Sequence, residues 1–152
     1  MHLSQELENT QKTIICIHRE LFEESPTPMK LQKLCYYAQG YSLADGNQLF
    51  DEDFQAWQHG PVIYSLYSKY KDYQWHPINE DFEETNNSNY DLLKDIVAAY
   101  GRFDGAALST MTHRETPWLS ARGNIDESAG CNEQISKDSL KNYFEEKLRA
   151  NG

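Results

Sequence analysis

Hydrophobic positions along the chain fall mostly into helical period. From Leu7 to Phe22, the residues Leu7, Ile14, Ile15, His18, Leu21 and Phe22 recur at i, i+3, i+4 and i+7 spacing, which predicts an amphipathic helix. Ser25-Pro26-Thr27-Pro28 ends it, because proline cannot continue the ladder and pushes its predecessor out of the helical region. The same segment starts a second helix, with Thr27 as N-cap and Pro28 at N1. That helix runs to about Leu43, with Leu31, Leu34, Cys35, Ala38 and Tyr41 on one face. Tyr36, Tyr37 and Gln39 fall on other faces, so the helix is apolar or aromatic nearly all round. Such a helix is buried on more than one side or binds something. Lys30 and Lys33 occupy its remaining polar strip.

After the turn signal Asp45-Gly46-Asn47, the stretch from Leu49 to Gln58 loses helical period and reads as a short extended segment or hairpin. His59-Gly60-Pro61 ends it, and Pro61 is expected at N1 of a third helix with the stripe Val62, Ile63, Leu66, Tyr67, Tyr70 and Tyr73. Gln74 to Asn89 is polar and acidic, a surface loop expected to be mobile at its tip. A fourth helix is predicted over Tyr90 to Phe103 on Leu93, Ile96, Val97 and Tyr100. A short one follows over Gly105 to His113, and Thr116-Pro117 opens a helical turn through Arg122. Gly123 to Glu133 reads as irregular. Ser136 then caps a last amphipathic helix carrying Leu140, Tyr143, Phe144 and Leu148. The pattern predicts a mainly α, compact bundle of about six helices, with the extended segment or hairpin near residues 49–58.

Composition narrows the function. The chain has 152 residues, a length that suits one domain with a real core. Its net charge of −10 argues against phosphate-driven nucleic-acid binding by the chain alone, and fits either a basic protein partner or simple solubility. Ten tyrosines, six phenylalanines and three tryptophans serve cores and interfaces equally well. Cys16, Cys35 and Cys131 fit neither a Cys-X-X-Cys site nor a disulfide framework, and read as reduced thiols. The polar N-terminus is no secretory signal, and no apolar run approaches the ~18–20 residues of a membrane span, so a cytoplasmic location is expected.

Catalytic chemistry finds little footing. His59, His113 and Glu115 are the candidate metal ligands, but i and i+2 on a helix lie roughly 200° apart, so His113 and Glu115 do not point one way. Hydrogen bonds that fix the turn into Thr116-Pro117 account for the pair more simply. A thiol nucleophile at Cys35 is disfavoured by its apolar face. No phosphate-binding glycine loop or serine elbow is present. No catalytic residue, metal or cofactor is therefore expected. Trp57-Gln58-His59-Gly60-Pro61 carries two readings: a Trp packed under a tight turn, or a Trp/His surface that anchors a partner.

The run KLQKLCYYAQGYSLADGNQLFDEDFQAWQHGPV resembles the start of the Panacea domain, the SocA-like antitoxin family of prophages and mobile elements. The family's second block, with its Thr-His-X-Glu and Pro-Trp elements, is matched by Leu108 to Arg122. Together the blocks span a motif-bearing core over residues 27–148, with the helix of about residues 7–22 packed on it to make a single domain. Cys35 departs from the usual aliphatic residue. The resemblance implies an antitoxin that neutralises a cognate toxin by direct contact, with a protease as a second partner if the protein serves as a proteolytic adaptor. A stand-alone prophage role and a metal-dependent enzyme using His59, His113 and Glu115 are the alternatives. The partner-binding or motif residues are then Tyr36, Tyr37, Gln39, Trp57, Gln58, His59, Gly60, Pro61, His113, Glu115, Trp118 and Arg122. The last four are expected close to the Trp57–Pro61 turn. Neither block sets the oligomeric state.

Overall fold

Helix α2 (Pro28–Ala44) is the centre of the molecule. In the computed structural model, which describes residues 3–81, 83 and 86–151, it touches α1 (Gln5–Phe22), α3 (Tyr64–Tyr70), α4 (Tyr90–Tyr100), α5 (Gly105–Thr112) and α7 (Lys137–Asn151). With α6 (Thr116–Arg122) these make seven helices among the described residues. A 3₁₀ turn over Lys71–Tyr73 extends α3. The Thr27 hydroxyl accepts from Lys30 N and caps α2, and Pro28 stands in its first turn. The most extensive helix contact is with α7, where Gly40 leaves room for the Phe144 ring. The buried apolar side chains form one connected cluster that runs through all these helices except α6's exposed side.

Three short strands complete the fold, in the order β2-β1-β3. β1 (Phe54–Trp57) pairs antiparallel with β2 (Gly60–Val62) and with β3 (Gln134–Ile135). The hairpin expected near residues 49–58 is therefore real, but it reaches further along the chain. Pro61 does not open α3; it pairs with Ala56 in an edge strand, where its missing N–H disrupts no further ladder. The cause is the Gln32 side chain. Its amide accepts from Ile63 N at 2.9 Å and donates to Ile63 O at 3.0 Å, which holds Ile63 extended and delays the helix to Tyr64. β3 lies just beyond the stretch expected to be irregular.

Side-chain placement departs from the pattern at several positions. Tyr36 and Tyr37, named as partner-binding or motif residues, are fully buried, as is Gln39, which bonds Phe50 O and Leu49 N. Lys33 is not on a solvated strip but 1% exposed. Tyr67, assigned to the core stripe with Tyr70, is 42% exposed, whereas Tyr70 is buried. Leu148 on the last helix is exposed as well. The loop after α3 is anchored at its start. Ile78 is buried and its N–H donates to Pro26 O at 3.0 Å, while Arg19 donates to Glu80 O at 2.6 Å. The loop tip expected to be mobile includes Phe82, Glu84 and Thr85, which lie outside the described residues.

Candidate functional site

The β1–β2 hairpin turns through Gln58 and His59, and Gly60 follows with φ +116°, a conformation that side-chain-bearing residues rarely adopt. The end of β1 and the turn present a row of backbone carbonyls to the α5–α6 segment. Four successive ones, Ala56 to His59, are each taken by one side chain from the α5–α6 segment. Ser109 Oγ donates to His59 O at 2.6 Å, and Trp118 Nε1 donates to Trp57 O at 2.7 Å. His113 Nε2 lies 2.6 Å from Gln58 O, and Arg122 Nη1 donates to Ala56 O at 2.8 Å. The two segments run antiparallel, with donors at 109, 113, 118 and 122 meeting acceptors at 59, 58, 57 and 56. The donors also brace each other: the His113 and Trp118 rings are 4.1 Å apart, and the Arg122 guanidinium lies over the Trp118 ring. A second Arg122 nitrogen donates to Asp126 O and Ala129 O, which ties down the loop beyond α6.

His113, Trp118 and Arg122 thus stand on the Trp57–Pro61 turn, as the sequence suggests, and bond its backbone carbonyls. Glu115 does not join them. It is buried beneath α2, where Tyr36 Oη and Tyr37 Oη each donate to one of its oxygens at 2.8 Å, so its carboxylate does not fix the turn into Thr116-Pro117. Lys147 Nζ approaches the same carboxylate at 4.0 Å while lying over the rings of Tyr37, Tyr100 and Tyr143. Burial raises the Glu115 pKa above the usual 4.5, against the lowering pull of both tyrosine hydrogen bonds and Lys147. Burial and the adjacent carboxylate hold the Tyr36 and Tyr37 hydroxyls protonated. His113 and Glu115 therefore have separate engagements, and the described residues contain no cluster of three or more side chains suited to a metal ion. Burial also pushes the Cys35 thiol up, which suppresses the thiolate a nucleophile needs.

What the hairpin presents outward is aromatic. Trp57 is half-buried, with Tyr64 and Tyr67 from α3 exposed beside it. The Trp57 and Tyr67 rings meet edge-on at 4.9 Å, and the Tyr64 ring is 6.3 Å from Trp57. Trp57 Nε1 donates to Gln55 Oε1, which fixes the indole. Gln58 and His59 are exposed at the tip, while Gly60 and Pro61 are buried. Under this aromatic edge lies a cavity of about 300 Å³ between α2, β2 and α3. Lys33 forms part of its wall and donates to Pro61 O at 3.3 Å. Burial alone pushes this ammonium down to about 7 from an ordinary 10.5.

Across residues 31–119 the chain matches the family model of the antitoxin SocA-like, Panacea domain. The chain belongs to this family. The matched span carries the Tyr36/Tyr37 helix, the hairpin and most of the segment that clamps it, so the Panacea signature coincides with the hairpin clamp. No curated protein and no solved structure matches the chain. No helix among the described residues is long and apolar enough to cross a membrane.

The site residues named from sequence thus divide. Trp57, Gln58 and His59 reach the surface; Gly60, Pro61, His113, Trp118 and Arg122 build the turn behind them; Tyr36, Tyr37, Gln39 and Glu115 lie inside. Sequence reasoning missed Lys33 as a cavity group and Tyr67 as a surface group. One signal was present: a helix that is apolar all round leaves no solvated strip, so a lysine at position 33 has to be buried or line a cavity.

Proposed function

We propose that the protein is an antitoxin that neutralises a cognate toxin by direct protein–protein contact, using the face formed by the hairpin and α3. Membership of the Panacea family supports the antitoxin role. The observation that carries the choice of face is the exposed Trp57–Tyr64–Tyr67 cluster set on a hairpin whose backbone is clamped from behind. Aromatic anchors on a rigid support dominate interface energetics, because they bury large area at small entropic cost. The acidic loop carries solvated charge and contributes less. The whole chain acts as one domain in this reading, with α1 as a buttress for the motif-bearing core over residues 27–148.

Co-expression with the product of the neighbouring gene tests the proposal. Growth arrest by that product alone, relieved by this protein, is the expected result. A Trp57→Ala, Tyr67→Ala double variant loses protection while its thermal unfolding stays close to that of the parent. A harmless neighbour, or full protection by the double variant, sinks the reading. Following the toxin's level separates the two routes of neutralisation: a steady level marks sequestration, and a falling level that recovers in a protease-deficient host marks delivery for degradation.

A further inference from the structure

We propose that the Lys33 cavity is a binding site for a carboxylate carried on an apolar body. A buried ammonium has three donors, and Lys33 uses one, on Pro61 O. Among the described residues no carboxylate lies within ion-pair distance of Lys33. Buried charges are ordinarily paired, so an unpaired one beside a cavity marks a site completed by a ligand. The sign of the lining agrees. The chain has 24 acidic residues to 14 basic ones, yet the twelve residues around this cavity include Lys33, Lys71 and His59 and no Asp or Glu.

The remaining walls are apolar or aromatic, among them Met29, Trp57, Leu66 and Tyr67. A cavity of about 300 Å³ sits at the small end of ligand pockets and holds one bulky side chain or a small organic acid. A phosphate brings close to two charges and calls for several converging donors or an arginine fork. Of the three basic side chains in the lining only Lys33 is buried, Lys71 and His59 being exposed, and one buried positive charge matches one negative charge, which selects a carboxylate. The carrier is either a free acid or a residue of the polypeptide partner, and the second case rests on the toxin-binding reading above.

The experiment titrates the full chain with 4-phenylbutyrate and with its neutral amide, followed by two-dimensional amide NMR. Saturable shifts centred on Lys33, Gly60 and Leu66 are expected for the acid, with affinity about tenfold or more above that of the amide. Lys33→Met retains the fold and removes the preference for the acid. Absence of saturable shifts at Lys33, equal binding of acid and amide, or an undiminished preference in Lys33→Met overturns the proposal. The same variant in the toxin-protection assay identifies the carrier. Lost protection assigns the carboxylate to the toxin, and intact protection alongside lost acid binding assigns it to a free ligand. Both uphold the site, and the acid–amide comparison stands whether or not the toxin reading survives.

Discussion

Two charged groups are buried against α2, and the protein treats them in opposite ways. Glu115 is surrounded: two tyrosine hydroxyls donate to it, and Lys147 stands at 4.0 Å within a ring of tyrosines. Lys33 has one backbone carbonyl at 3.3 Å and a cavity beside it. A satisfied buried charge joins elements together; an under-satisfied one is a cost to folding, retained where something outside the chain completes it. The difference makes Glu115 a group that joins α2 to the α5–α6 segment and Lys33 the group on which the proposed carboxylate site rests, although both lie in or against the same Panacea block.

The largest effect separating the two should come from Glu115→Leu. It leaves the Tyr36 and Tyr37 hydroxyls buried without acceptors, and a loss of about 3–5 kcal/mol in denaturant unfolding is expected. Adding Tyr36→Phe and Tyr37→Phe should recover much of it, because no orphaned donor then remains. Next comes Gly60→Ala. The new Cβ would lie 2.6 Å from Lys33 Cε and 2.8 Å from Thr112 Oγ1, at a φ of +116°. A loss of about 2–3 kcal/mol is expected, together with a displaced Lys33 visible in the NMR spectrum.

Lys33→Met should do the reverse and stabilise the fold, by about 1–3 kcal/mol at pH 6. The sign follows from the lowered pKa. Between about 7 and 10.5 the unfolded chain binds the proton that the folded chain has released, so wild-type stability rises with pH across that window. Below pH 7 the folded protein bears the full cost of the buried charge, and the advantage of Lys33→Met should shrink as pH is raised from 7 towards 10. A destabilised Lys33→Met at pH 6 would break the comparison. The smallest effect is the pH slope of Glu115. Its raised pKa gives stability that is fully present below pH 4.5 and is lost as pH rises through the folded value. Glu115→Gln should flatten that slope, a change of under about 1 kcal/mol measured between pH 4.5 and 7.

Local signals carried most of the fold. Thr27-Pro28 marks a helix start by side-chain capping and a proline in the first turn, and Thr116-Pro117 by the proline alone, signals that act within a few residues. The two-block resemblance pointed to the packing of His113, Trp118 and Arg122 on the hairpin. What periodicity missed was decided by partners far away in sequence. Tyr36 and Tyr37 become interior through a carboxylate 78 or more residues later, and Ile63 stays extended through a glutamine 31 residues earlier. β3 is two residues long, too short to show any alternation, and exists only because β1 offers it an edge. Tyr67 faces outward because the buried stripe of α3 runs through Ser65, Leu66 and Tyr70, and a residue next to Leu66 lies about 100° further round the helix.

The clamp on the hairpin also sets a timetable. Its acceptors lie at residues 56–59 and its donors at 109–122, separations of 50 to 66 residues. A ribosome delivers the acceptors first, and closing so long a loop waits until the donors have emerged. During synthesis the Trp57 hairpin is therefore exposed before it is braced. The hairpin acquires its final shape only once Arg122 has left the exit tunnel and folded back, so the face proposed for recognition forms well after the hairpin itself has emerged.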